Sequence, residues 1–103
     1  MISATFESAW PKDFVREPDD NREARLYKLS ESVPPAFEGG DPINYIVVSG
    51  LPEDEFGPAE TCVFLADDEG EITLPFTVAD VEGVDFEAAL SRFYEVVANS
   101  FGL

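Results

Sequence analysis

Two runs of β-branched and aromatic residues on either side of an acidic loop constrain the fold of this chain most strongly. I-N-Y-I-V-V-S-G at 43–50 and E-T-C-V-F-L-A at 60–66 have the composition of strands. D-D-E-G after the second run is typical of a tight hairpin turn, with Gly70 at a positive φ. The sequence then predicts a third strand, E-I-T-L-P-F-T-V at 71–78, at a sheet edge or broken near Pro75, because proline lacks an N–H.

The flanking segments add elements on both sides of these strands. Residues 2–7 alternate apolar and polar, and A-R-L-Y-K-L-S-E-S at 24–32 is a further strand candidate. W-P-K-D-F-V-R-E at 10–17 favours one or two helical turns. The C-terminal segment predicts a helix with Asp85 as its N-cap and Gly102 as its stop. Its apolar residues recur at helical spacing, at Phe86, Ala89, Leu90, Phe93, Val97 and Phe101.

Together these elements predict an α+β fold. A three- to four-stranded antiparallel meander, with 60–66 as its middle strand, would be covered on one face by the C-terminal helix. At 103 residues the chain has the size of one domain and can bury a core of its own. Residues 1–30 either pack on the sheet or form a peripheral arm.

The charge of the chain is strongly negative and unevenly distributed. There are 22 acidic residues against 6 basic ones, which gives a net charge of −16, and five of the six bases lie in the first 28 residues. Such a chain repels nucleic acid and anionic membranes and attracts basic surfaces. We therefore predict a basic protein as partner, with no direct nucleic-acid or membrane binding. An acidic surface with only two lysines is also an adaptation to high salt, and that alternative stays open.

The residue inventory argues against most enzyme classes. The absence of His removes Ser-His and Cys-His nucleophilic pairs, and no phosphate-binding glycine motif occurs. Counting back from Gly70 as the sixth position of a calcium loop puts Leu65, which is not a ligand, first. We predict a non-enzyme without catalytic residues, metal or cofactor, although 22 acids leave a loose divalent-ion site or a carboxylate pair open.

The acids are concentrated where the chain turns. The first acidic cluster is Glu53, Asp54 and Glu55, and the second acidic cluster is Asp67, Asp68, Glu69 and Glu71. The clusters flank the strand at 60–66, so they should project from opposite ends of it, about 20 Å apart. These residues are the predicted partner-binding site.

Three other residues have a structural and a functional interpretation. Phe56 either folds back onto the core or is an exposed aromatic anchor for the partner, and it belongs to the predicted site in the second case. Cys62 is expected to be a buried, inert thiol rather than a reactive one. Trp10, with Phe14, is expected to plug the open side of the sheet.

A single Cys excludes an intrachain disulfide, and the N-terminus lacks a signal-peptide pattern, so we expect a cytoplasmic protein.

Residues 45–72 carry a resemblance. They read Y-I-V-V-S-G, an acidic loop with Pro and Gly, and then E-T-C-V-F-L-A-D-D-E-G-E-I. This resembles small uncharacterised proteins of bacteriophages that infect actinobacteria, although Cys62 stands where that pattern usually has an aromatic residue. The resemblance implies a phage accessory gene acting in the host cytoplasm. It implies no activity, and it transfers no functional residue.

The leading hypothesis is an acidic binding protein that occupies a basic surface on its partner. With the phage resemblance, its sharper form is a DNA mimic or an inhibitor of host defence or nucleic-acid machinery. One alternative is a small structural or assembly subunit that self-associates as a homo-oligomer. Another is an immunity-type protein that neutralises a basic toxin.

Overall fold

A computed structural model describes residues 2–10, 22–34, 39–73 and 76–102. The strands are β1 (Ala4–Ala9), β2 (Glu23–Val33), β3 (Ile43–Leu51), β4 (Glu60–Ala66) and β5 (Ala79–Glu82), and the helix is α1 (Phe86–Phe101). The strands form one antiparallel sheet in the order β1-β2-β3-β4-β5, and α1 packs against β3, β4 and β5. The predicted α+β meander with a C-terminal helix on one face is confirmed, with five strands.

The larger core lies between the sheet and α1. The helix buries Ala89, Phe93 and Val97, which are spaced one turn apart, against apolar side chains of β2, β3 and β4. Its start is fixed by Asp85, whose carboxylate accepts a hydrogen bond from the Ala88 N–H at 3.0 Å. Its end is fixed by Gly102, as predicted, at a φ of 72°.

A smaller core covers part of the opposite face of the sheet. It contains Leu26, Val47 and Ala66, with Trp10 and Tyr45 packed against them. The predicted role of Trp10 as a plug on the open side is confirmed, whereas Phe14 lies outside the described residues. Because this cluster is small, much of the open face is left to polar and acidic side chains.

The strand predicted at 71–78 is wrong in its position. Among its described residues, Ile72 forms an isolated bridge with Ala66, and the Val78 N–H donates to the Val63 carbonyl at 2.8 Å. The strand that pairs regularly with β4 is β5, which begins one residue after the predicted one ends. The pairing partner of β4 therefore carries acidic residues in place of the expected T-L-P-F pattern.

This arrangement also corrects the place of β4, which lies second from the edge of the described sheet rather than in its middle. The described parts of the first 30 residues belong to the sheet as β1 and the start of β2. Helical turns were predicted at 10–17, but residues 11–17 lie outside the described part of the chain. The break predicted near Pro75 lies outside it as well. The β3–β4 loop and the turn after β4 then lie at opposite ends of β4.

Candidate functional site

The first acidic cluster lies in a turn that Asp54 holds together. Its Oδ1 accepts hydrogen bonds from the N–H groups of Phe56, at 2.8 Å, and Gly57, at 3.2 Å. The main chain of Asp54 and Gly57 closes the turn with hydrogen bonds of 3.1 and 3.4 Å in both directions. Glu55 and Phe56 are thereby placed at the tip of a short hairpin.

Phe56 is 89% exposed at that tip. The interpretation in which it folds back onto the core is therefore wrong, and the alternative, an exposed aromatic side chain in an acidic loop, describes the structure. An aromatic ring in this position can enter an apolar pocket of a partner, with Glu53 and Glu55 exposed beside it.

The second acidic cluster is organised in the same way by Asp67. Its Oδ1 accepts hydrogen bonds from the N–H groups of Glu69 and Glu71, both at 2.9 Å. Its main chain receives the Gly70 N–H at 3.0 Å and donates to the Glu71 carbonyl at 2.9 Å. Asp67 is half-buried, whereas Asp68, Glu69 and Glu71 are exposed. One acid thus holds the turn and three face solvent.

Trp10 supports the second turn from beneath. Its indole N–H donates a hydrogen bond to the Gly70 carbonyl. Gly70 has the predicted positive φ, 86°, and a Cβ at this position would lie 3.3 Å from the Trp10 ring. The position therefore requires glycine for its backbone conformation and also favours it for space.

The two acidic clusters lie at opposite ends of β4, as the sequence predicted. The first cluster is in the loop before Glu60, the second begins directly after Ala66, and β4 between them spans about 20 Å. The clusters are thus not one patch. They are two separate turns, one in the loop before β4 and one directly after it.

Three further acids lie between these turns, and sequence reasoning missed them. Ala79 and Val81 of β5 pack on the helix-side core, so Asp80 and Glu82 face the opposite side of the sheet. Register pairing places Glu82 directly opposite Glu60 on β4. In A-D-V-E the acidic residues alternate with apolar ones. This alternation indicates an acidic face only if the segment is already known to be a strand.

Cys62 lies opposite Asp80 on this face and is 6% exposed. Burial, and a hydrogen bond to Glu60 at 3.2 Å from its Sγ, raise the pKa of the Cys62 thiol to about 12. The thiol is therefore protonated at neutral pH and is a poor nucleophile. The expectation that Cys62 is buried is confirmed, and its low reactivity stays a prediction.

Two of the basic residues are engaged away from the acidic clusters. Arg25 pairs with Glu23 at 2.8 Å and stacks over the Phe86 ring at 4.0 Å. Arg92 pairs with Glu95 at 3.0 Å on the outer surface of α1. Neither guanidinium reduces the negative charge of the two turns by a direct contact.

Among the residues that the structure describes, no three His, Cys, Asp or Glu side chains are arranged to hold a metal ion. Among the helical residues that the structure describes, none form a segment long and apolar enough to cross a membrane. A comparison with models of known protein families gave no match, and neither did comparisons with curated proteins or solved structures.

Proposed function

We propose that this chain is a non-enzymatic, acidic binding protein that occupies a basic surface of a partner protein. The observation that carries the proposal is the construction of the two acidic turns. In each turn one aspartate, Asp54 or Asp67, fixes the backbone, and the other acidic residues of the two clusters are exposed. The fixed backbone holds the exposed acidic residues of each turn at defined positions for a partner.

A fixed backbone in the two turns favours binding because less backbone conformational entropy is lost when a partner docks. The net charge of −16 steers a basic partner towards the protein over distances near the Debye length, about 8 to 10 Å at moderate salt. The acids Glu60, Asp80 and Glu82 extend the negative surface from the first turn onto the adjoining parts of β4 and β5. The binding surface would therefore include the first turn and this part of the sheet, with the second turn at the other end of β4.

In the sharper form of the proposal, the partner is a nucleic-acid-binding protein and the acidic surface competes with DNA. Duplex DNA presents one charge about every 1.7 Å along its axis, so a groove that binds it is lined with cations over a comparable length. Two acidic turns at the two ends of β4, a strand about 20 Å long, place negative charge at both ends of such a length. An immunity-type protein would use the same surface against a basic toxin.

Phe56 gives the proposed surface its apolar contact. Electrostatic attraction alone discriminates poorly between basic partners, whereas a ring that fits one pocket adds specificity. The hydrogen bonds to Asp54 fix the turn that carries this ring. A Phe56→Ala variant should keep the attraction and lose affinity for the specific partner.

The non-enzymatic part of the proposal is supported by chemistry already described. The sequence contains no His, and its single thiol is held protonated by burial and Glu60. The usual nucleophile–base pairs therefore lack their components.

The proposal can be tested with a matched pair of charge variants. The site variant is Glu55→Gln with Glu69→Gln, one residue from each turn, and the control is Glu7→Gln with Glu95→Gln, from β1 and the outer surface of α1. Wild type and both variants would be immobilised, incubated with bacterial lysate and eluted with a salt gradient. We expect nucleic-acid-binding proteins on the wild type and the control, released by salt and depleted severalfold on the site variant.

Equal retention by all three proteins would contradict the proposal, because the two variants have the same net charge. Recovery of the protein alone would also contradict it and would favour the self-associating structural subunit.

A further inference from the structure

The outer edge of β5 carries main-chain groups that the described sheet leaves without a strand partner. β5 is the last strand in the sheet order, and it pairs with β4 on its inner side. The chain is described without a gap from residue 76, through β5, to residue 102. The course of the backbone on either side of β5 is therefore defined.

The hydrogen bonds to β4 show which groups of β5 point outwards. In an antiparallel pair of strands, hydrogen-bonded and non-hydrogen-bonded residue pairs alternate. The Gly83 N–H donates to the Ala59 carbonyl at 2.9 Å, directly beyond the end of β5. Counted from this hydrogen-bonded pair along the register, Glu82 and Asp80 occupy non-hydrogen-bonded positions. The N–H and C=O groups of both residues therefore point away from β4, towards the open edge.

Acidic side chains accompany these outward-pointing groups. Asp80 and Glu82 are exposed, and their carboxylates lie on the face of the sheet opposite α1. Glu60 of β4 is directly opposite Glu82 and adds a third carboxylate to this face. Ala79 and Val81 alternate with the two acids of β5 and pack against the helix-side core. A strand added at this edge would thus meet main-chain donors and acceptors, with negative charge on one face.

This edge selects an extended, basic occupant. A helix uses its N–H and C=O groups within itself, whereas an extended chain has them free for pairing. A second copy of β5 would place acidic residues opposite Asp80 and Glu82, and like charges directly opposite one another are destabilising. Lysine or arginine at alternate positions of a paired strand would lie on the same face as Asp80 and Glu82 and form opposite-charge pairs with them.

We propose that an extended segment of the partner, with basic residues at alternate positions, adds as a strand to the outer edge of β5. The inference rests on the proposed function and deepens it, because it names the form in which the basic partner meets this part of the acidic surface. In such strand addition, main-chain hydrogen bonds provide affinity and alternate side chains provide specificity. The edge of Ala79–Glu82 is short, so the affinity should be moderate and should fall with salt.

The test compares three peptides in which lysine alternates with threonine. One is unmodified, one has methyl groups on the main-chain nitrogens of its lysines, and the third has the same number of methyl groups on the main-chain nitrogens of its threonines. Lysines opposite Asp80 and Glu82 would direct their main-chain N–H groups to β5, whereas those of the threonines would point away. The two methylated peptides have the same charge and the same added bulk, and they differ only in the edge that is blocked.

Binding to the full chain would be measured by fluorescence anisotropy, and amide hydrogen exchange of Asp80 and Glu82 by NMR. We expect the unmodified and threonine-methylated peptides to bind alike, and the lysine-methylated peptide to bind at least tenfold more weakly, because its hydrogen bonds to the edge are lost. The unmodified peptide should also slow the exchange of both amides severalfold. Equal affinity of the two methylated peptides, or unchanged exchange, would overturn the inference. Slow exchange of both amides in the free protein would also overturn it, because the edge would already be paired.

Two substitutions at Asp80 separate its charge from its N–H group. Asp80→Asn removes the charge, and Asp80→Pro removes the charge and the outward N–H, a change that an open edge tolerates because no ladder bond is lost. We expect Asp80→Asn to bind the unmodified peptide severalfold more weakly than the wild type does, and Asp80→Pro to bind it more weakly again by a similar factor. Equal binding by the two folded variants would contradict the inference. If Asp80→Pro does not fold, the methylated peptides decide the question on the wild type.

These outcomes separate the inference from the proposed function. If the methylated peptides bind equally, but all three peptides lose affinity at high salt and in Glu55→Gln/Glu69→Gln, the acidic surface stands and the strand addition fails. If neither salt nor the charge variants affect binding, the proposed function fails as well.

Discussion

Replacing Asp67 with alanine is expected to destabilise the protein through the turn that carries the second acidic cluster. The Asp67 carboxylate accepts two backbone N–H groups, from Glu69 and Glu71, each at 2.9 Å. A hydrogen bond to a charged group is worth about 1.5 to 3 kcal/mol. Glu69 and Glu71 are exposed, so water can replace the lost acceptor, and we therefore take a lower value of about 1 kcal/mol for each bond. Loss of both gives about 2 kcal/mol.

An opposing effect reduces this value. Asp67 lies among Asp68, Glu69 and Glu71, so its removal also relieves repulsion, by a few tenths of a kcal/mol at moderate salt. Glu69→Ala measures that relief alone, since it removes one charge from the same turn and leaves the Asp67 acceptor in place. We expect this control to be neutral or slightly stabilising.

The assay is urea unfolding followed by circular dichroism, for the wild type, Asp67→Ala, Asp67→Asn and Glu69→Ala. With a slope of about 1.5 kcal/mol per molar urea, Asp67→Ala should lower the midpoint by about 1 M. Asp67→Asn keeps the Oδ1 acceptor and should fall between Asp67→Ala and the wild type. If Asp67→Ala unfolds within about 0.3 M of Glu69→Ala, the carboxylate does not hold the turn and the reasoning is refuted.

Three further predictions concern single positions. Thr61→Val should lower the free energy of unfolding by about 2 to 3 kcal/mol in thermal unfolding. The reason is that the buried Thr61 hydroxyl donates to the Gly83 carbonyl at 2.6 Å and accepts the Asp85 N–H at 2.9 Å. An unchanged melting temperature of the variant would contradict this. Gly70→Ala should lower stability by about 1 to 2 kcal/mol in urea unfolding, because alanine is strained at a φ of 86°; a stabilised variant would show that the turn tolerates a side chain. Cys62 should react slowly with a disulfide reagent at pH 8 in the native protein and fast in urea, since its pKa is raised to about 12 only when folded. Between pH 9 and 12 the Cys62 thiol ionises in the unfolded chain but not in the folded protein, so the free energy of unfolding should fall as the pH rises through this range. The fall should be smaller in Cys62→Ala.

The elements with strong local signals could be predicted from the sequence. The strand at 60–66 has the predicted bounds, the strand at 43–50 is longer by one residue, and the helix begins after Asp85 as its capping pattern indicates. Gly70 likewise takes the positive φ that its place in D-D-E-G requires. In each case the residues next to one another in the chain determine the local structure.

The strand predicted at 71–78 shows that local strand-forming patterns did not determine which segment pairs with β4. E-I-T-L-P-F-T-V has more strand-forming residues than A-D-V-E, yet the regular pairing with β4 is made by Ala79–Glu82. Val63 and Thr61 of β4 pair with Ala79 and Val81, whose side chains complete the core beneath α1, so packing with residues distant in sequence decides the register.

The candidate site was predictable only in part for the same reason. The acids of both turns are visible in the sequence, and so is their separation by one strand. Glu60, Asp80 and Glu82 come together through the pairing of β4 with β5, which the sequence did not indicate. The exposure of Phe56 depends on the turn that the Asp54 carboxylate holds together, and the order of residues alone does not show this turn.

The most direct test of the central claim is competition with duplex DNA for a purified basic partner recovered by the wild-type protein. Fluorescently labelled duplex would be bound to that partner and titrated with the wild type, Glu55→Gln/Glu69→Gln or Glu7→Gln/Glu95→Gln. The account predicts that the wild type and the control displace the duplex at similar concentrations, and that the site variant needs at least severalfold more. Displacement by all three at the same concentration would contradict it, because net charge rather than the two acidic turns would then determine binding.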